Sequence, residues 1–141
     1  MPTDEPRATV PTDEPTRHQS RERALGLLYE AELKREAPAA VVDALAVPPD
    51  RFTADLVAAV ERHRVRADAL ISAASIGWPL ERMAVVDRLV LRMAVAELLE
   101  KDGPPTAVVL DEAVELAKCY STEESGAFVN GILRTVAAQV R

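Results

Sequence analysis

Apolar residues recur along most of this chain at helical spacing, and nearly every run is bounded by proline, glycine or a residue suited to capping a helix. Ala24, Leu25, Leu27, Leu28 and Ala31 form one apolar arc. It follows Thr16 and Gln19, which have the spacing of a capping box, so a first helix is predicted from that point. Pro38 suits a first helical turn and Pro48 and Pro49 follow, which brackets a short second helix. Leu56, Val60, Ala67, Leu70, Ile71 and Ala74 make a third stripe from near Asp50 to about Ser75. The polar run Glu61 Arg62 His63 Arg64 predicts a kink in it, and Gly77 its end.

Trp78 and Pro79 open the next element, a helix predicted from Leu80 to Leu99 with Val85, Leu89, Ala96 and Leu99 on one stripe. Arg92 falls on the same stripe, and a buried arginine needs an anionic partner. Asp111, Glu112 and Glu115 are the predicted partners. Asp102 Gly103 Pro104 Pro105 turns the chain back, and Thr106 leads into an acidic helix that buries Val109, Ala113, Leu116, Ala117 and Tyr120. Ser121 and Glu124 are spaced for a second capping box before a last helix that runs to about Gln139 through Phe128, Val129, Ile132 and Leu133. Within it Asn130 and Gly131 are poor helix formers, Gly by about 1 kcal/mol against Ala. A close helix approach at Gly131, with the Asn130 amide bonded to a neighbour, is therefore expected. No segment alternates apolar and polar residues for long enough to suggest a sheet. The expectation is an all-α, compact single-domain bundle of six to seven helices over residues 17–141.

Composition refines that picture. The 141 residues suit one domain, and 48% hydrophobic with only 4% aromatic residues describes an aliphatic core. Residues 1–16 hold four prolines and few large apolar groups, so they read as a flexible acidic tail. The single cysteine, Cys119, reads as a small apolar residue near a helix end and cannot form an internal disulfide, which suits a reducing cytoplasm. No long apolar run suggests a membrane span, and the N-terminus lacks the apolar core of a signal peptide. An enzyme is not expected: there is no nucleophile with its base, no phosphate-binding glycine loop and no cofactor motif. No metal is expected either, since His18 and His63 lie far apart in charged surroundings and read as solvated surface residues.

The net charge of -6 argues against a broad basic face for duplex nucleic acid. A local reversal changes the picture, because Asp4, Glu5, Asp13 and Glu14 oppose only Arg7 in the tail, whereas Arg17, Arg21 and Arg23 follow against only Glu22. This island reads either as a solvated helix start or as a contact for single-stranded RNA. The second reading needs aromatic faces for bases beside cations for phosphates. Tyr29, off the buried arc of the first helix, and Phe128, near the start of the last, are the candidates.

Three blocks, Leu91 to Leu98, Asp111 to Lys118 and Phe128 to Leu133, together with the basic start, resemble the bacterial NusB transcription antitermination family from about Arg17 to about Val136. The resemblance implies binding of the boxA element of nascent RNA through Arg17, Arg21, Tyr29, Glu124, Ser125 and Phe128. The family commonly has Asp where this chain has Glu124, whose longer side chain suits capping its own helix instead. It further implies a heterodimer with the ribosomal protein NusE, bound through the 80–99 region, where Glu81, Asp87, Arg88 and Glu97 are the polar candidates. The role implied is a non-enzymatic adaptor on ribosomal RNA operons that reaches RNA polymerase indirectly. Homodimers occur among NusB-type proteins, and NusB-like domains also precede some RNA cytosine methyltransferases, although this chain shows no catalytic domain.

Overall fold

The computed structural model describes residues 14–141. The predicted tail lies outside the described residues up to position 13; Glu14 and Pro15 have no regular structure and Thr16 caps the first helix. Seven α-helices and one short 3-10 turn follow, with no strand among the described residues.

Helix α1 (Arg17–Lys34) starts at the predicted box: the Gln19 amide donates to the Thr16 hydroxyl at 3.1 Å and the Thr16 amide to Gln19 Oε1 at 2.9 Å. It ends at Arg35, which holds the left-handed conformation (φ 55°) that closes many helices. Helix α2 (Pro38–Asp43) opens on its proline, and α3 (Arg51–Arg62) on Asp50, whose carboxylate accepts the Thr53 amide at 3.1 Å. The predicted kink is a full break, because His63 closes α3 and α4 (Arg64–Ala74) starts afresh. Gly77 turns the chain at φ 79°, a region where side chains are strained.

The helix predicted from Leu80 is instead a 3-10 turn (Leu80–Arg82) followed by α5 (Val85–Leu99). Between them Met83 adopts an extended backbone and buries its side chain in the core, which interrupts the helical phase. Helices α6 (Thr106–Tyr120) and α7 (Glu123–Val140) pack against each other. The α7 capping box is Thr122 with Ser125, one residue beyond the predicted Ser121 and Glu124 pair, and Glu124 is an exposed acid in the first turn.

Helix α5 is the axis of the bundle. Leu91 to Leu98 are all buried, because α1, α3, α4, α6 and α7 each pack on it. A helix enclosed on all sides is apolar all round, so a single stripe understates its burial. Its buried Arg92 does meet carboxylates, but not the predicted ones. Nε and Nη2 donate to Asp68 of α4 at 2.7 and 3.1 Å, and Glu32 of α1 lies 3.9 Å away. Arg92 faces α4 and α1, whereas Glu112 lies on the α6 side of the bundle.

Gly131 does not mark the expected close approach, since a Cβ there would meet nothing within 4 Å. It lies on the exposed side of α7, and the tight positions are elsewhere. A Cβ at Gly126 would press on the Lys118 side chain at 3.0 Å, and one at Gly103 would clash with the Glu97 carbonyl at 2.5 Å. Among the described residues no helix is long and apolar enough to cross a membrane.

Candidate nucleic-acid interface

The basic start of α1 divides into an outer and an inner part. Arg17 is exposed, with its guanidinium carbon 4.3 Å from the centre of the Phe52 ring on α3. Arg21, one turn later, is 4% exposed. Its Nε and Nη2 donate to both carboxylate oxygens of Glu97 at 2.9 and 2.8 Å, and Nη1 reaches Glu112 at 3.4 Å. The expectation that Arg21 neutralises phosphate is thereby corrected, because its donors are spent inside the fold. The same pair corrects the placement of Glu97, which is buried and not on a partner-facing surface.

His18 was expected to be merely solvated, but Nδ1 lies 3.0 Å from Glu112 and Nε2 3.7 Å from Glu22. The hydrogen bond to Glu112 raises its pKa above the ordinary imidazole value, outweighing a small desolvation in the opposite sense. Glu22 also accepts the Tyr120 hydroxyl at 2.6 Å, which raises the pKa of that phenol. The start of α1 and the end of α6 are thus tied together through this exposed flank.

Tyr29 continues the same face, two turns beyond Glu22, and is 39% exposed. One turn further, Glu32 receives Arg88 of α5 at 3.2 Å. The neighbouring Asp87 is buried and accepts the Ser125 hydroxyl of α7 at 3.1 Å. Its other oxygen, Oδ1, is buried without a hydrogen-bond partner. These links gather the starts of α5 and α7 beside the Tyr29 end of α1. Phe128 follows one turn into α7 and is half-buried against the core.

Ser125, expected to bond base edges, is 4% exposed and is engaged by Asp87 and the capping box. Asp87 is likewise turned inward. Arg88 is largely buried, donating to Glu32 and to the Leu80 carbonyl, so Glu81 is the exposed acid among the four residues expected on that face. Glu124 remains exposed at the start of α7.

A groove of about 630 Å³ opens on the other side of the α1 start, between α3 and the α5–α6 turn. Arg17, Phe52, Leu56, Lys101, Gly103 and Val108 are among its lining residues. Sequence reasoning missed it. The available signal was Phe52, one of 2 phenylalanines in a chain with few aromatic residues, two positions after Asp50.

Residues 18–138 match the family model described as the NusB family. The chain belongs to the NusB family. It is 46% identical over 122 residues to the transcription antitermination protein NusB of Thermobifida fusca, covering 84% of this chain and 86% of that one. Among solved structures, NusB of T. maritima superposes with a TM-score of 0.80 at 34% identity, over 89% of this chain and 93% of its own. NusB in the crystal structure of the antitermination factors NusB and NusE in complex with double-stranded RNA superposes at 0.71, with 28% identity over 87% and 96% of the two chains. The NusB family is a family of transcription factors, not of enzymes. The helical bundle described above is therefore the family's architecture.

Proposed function

We propose that this chain is an antitermination factor that binds boxA-type single-stranded RNA together with the ribosomal protein NusE and thereby supports processive transcription of ribosomal RNA operons. One observation carries the reading. Exposed Arg17 and half-buried His18 stand at the start of α1, and Tyr29, on the His18 side of the helix, is exposed about 17 Å further along, from eleven residues at 1.5 Å each, one turn before the Glu32–Arg88 link to the α5 start that also holds Ser125 of α7. Cations at one end and aromatic faces at the other suit a single strand whose bases are unstacked; a duplex offers no free base faces to Tyr29.

Family membership supports binding of RNA and NusE, since a relative of the same fold was crystallised with NusE and double-stranded RNA. Arg17 supplies the phosphate contact and His18 adds to it as it gains its proton on falling pH, Tyr29 and Phe128 supply the stacking, and Glu124 a rim acceptor for base edges. Exposed Glu81 faces the basic NusE and raises the association rate more than the affinity. RNA polymerase is reached through the assembled complex in the cytoplasm.

The test is a titration of a boxA-like single strand, a scrambled strand and the boxA duplex, each with and without NusE from the same organism. Tightest binding of the boxA strand, strengthened by NusE, is the expected result. Equal binding of all three RNAs, or no response to NusE, would overturn the reading. Light scattering alongside tests the rival, a homodimer that covers the RNA face and ignores NusE.

A further inference from the structure

We propose that the bare stretch of α1 at Gly26 seats one base of the bound strand, between the Tyr29 ring and the Tyr120–Glu22 pair, with Glu22 Oε1 accepting a hydrogen bond from the edge of that base. The proposal rests on the RNA-binding reading above and adds one base position to it. Gly26 lies inside the 18-residue helix α1, where glycine is the poorest helix former after proline. Nothing within the fold accounts for it, since Gly26 is exposed and a Cβ there would meet nothing within 4 Å among the described residues. Packing does require Gly103 and Gly126, where a Cβ would meet neighbours at 2.5 and 3.0 Å. Gly131 is as open as Gly26, but Phe128 precedes it and a helical side chain leans over the turn before its own position. Tyr29 follows Gly26, so its exposed ring leans toward the bare backbone.

The surroundings of Gly26 suit a base. Residues 22, 26 and 29 fall on one side of α1, at steps of four and three. Glu22 marks the far end of the seat, about 10 Å from Tyr29 along the axis for seven residues at 1.5 Å each. Its Oε2 accepts the hydroxyl of Tyr120 at 2.6 Å, and Tyr120 is itself 50% exposed. Among the described residues no hydrogen bond falls on Glu22 Oε1, which is left to accept from a ligand. Helix α6 packs on α5 and α7 far more than on α1, and side chains join the two flanks, His18 to Glu112 and Glu22 to Tyr120. Charge assigns the seat to a base and not to a phosphate. Glu22, Glu112 and Glu115 all act on His18, and such an acidic rim repels phosphate while it offers acceptors to the N–H donors of a base edge. A lysine or arginine of a protein partner would need only the carboxylate, whereas a flat base uses the bare floor and the rings as well.

The experiment is an abasic scan. A boxA-like single strand, and versions of it lacking one base at each position in turn, are titrated against the full chain and its Gly26→Gln and Tyr120→Ala variants. Gln is a better helix former than Gly, so Gly26→Gln should unfold no earlier than the full chain. It should nevertheless bind the intact strand about tenfold more weakly, within the range of one stacked base. A single position of the scan should account for the loss: removing that base weakens binding to the full chain about tenfold and leaves binding to Gly26→Gln unchanged, and Tyr120→Ala silences the same position. NusE binding should be equal for all three proteins. A Gly26→Gln variant that binds the intact strand as tightly as the full chain does, or a loss spread over every position, overturns this proposal alone while the RNA reading stands. So does a loss confined to NusE binding, which would assign the seat to a partner's side chain. A full chain that binds no RNA overturns the RNA reading and this proposal with it.

Discussion

Arg17 and Arg21 stand one turn apart on α1 and both approach the Phe52 ring, at 4.3 and 5.1 Å, yet they have opposite fates. Arg17 is in water with no carboxylate partner among the described residues, whereas Arg21 is sealed against Glu97 and Glu112. The difference is geometric: a four-residue step keeps the two on nearly the same face but carries Arg21 about 6 Å further along α1, against the axial helix α5, where an unpaired charge is excluded. Basic residues clustered in sequence are thus not a single functional unit. Part of the island closes the fold and part of it is free for a ligand.

The sharpest way to break this comparison is to remove Glu97. Glu97→Ala removes both short bonds of buried Arg21, leaving only Glu112 at 3.4 Å, and should cost about 3 kcal/mol in denaturant unfolding. Arg17→Ala should stay within about 1 kcal/mol, the value of an exposed cation over a ring. Equal losses for the two would show that Arg21 is no more internal than Arg17.

Next in size is Tyr29→Ala, expected to weaken binding of single-stranded RNA by about 1 to 3 kcal/mol with the unfolding midpoint unchanged. Phe128→Ala should lower both, because that ring also packs on the core. A Tyr29 variant with undiminished RNA affinity would take the aromatic end out of the interface. Smaller again is the electrostatic share of Arg17: its alanine variant should flatten the salt dependence of RNA binding by about 0.7 in log-log slope. An unchanged slope would mean that no phosphate sits there.

The smallest effect concerns His18. Its pKa is raised in the folded state, so its contribution to stability is fully present below the ordinary value of about 6.5 and is lost as pH rises through the raised value. RNA binding should weaken over the same rise as the imidazolium loses its charge. Glu112→Gln should move the His18 midpoint, followed by NMR, back toward the ordinary value. A midpoint that stays in place would show that Glu112 is not the cause.

Much of the fold was legible in local pattern. The Thr16 and Gln19 box, Pro38 in the first turn of α2, the helix start near Asp50 and the interruption near His63 all appear where their chemistry predicts. Two misses are local, the helix start at Leu80 and the Ser121 and Glu124 box, and the others share one character. The partner of Arg92, the open surroundings of Gly131 and the inward turn of Asp87 and Ser125 each depend on which elements meet across the bundle. Of the candidate site, the exposed Tyr29 could be anticipated from its place off the apolar arc. The burial of Arg21 had a local signal, since it lies three, four and seven residues before Ala24, Leu25 and Leu28, but its partner Glu97 had none.

The sequence by itself determined most of the helices, the first cap and the break near His63, and the family, because helical hydrogen bonds and capping act over three or four residues and are written in local order. Only the tertiary structure decided which charges serve the fold and which face solvent. Arg21 and Glu97 are separated by 76 positions, and their pairing exists only because packing brings α1 onto α5 and excludes water from the contact.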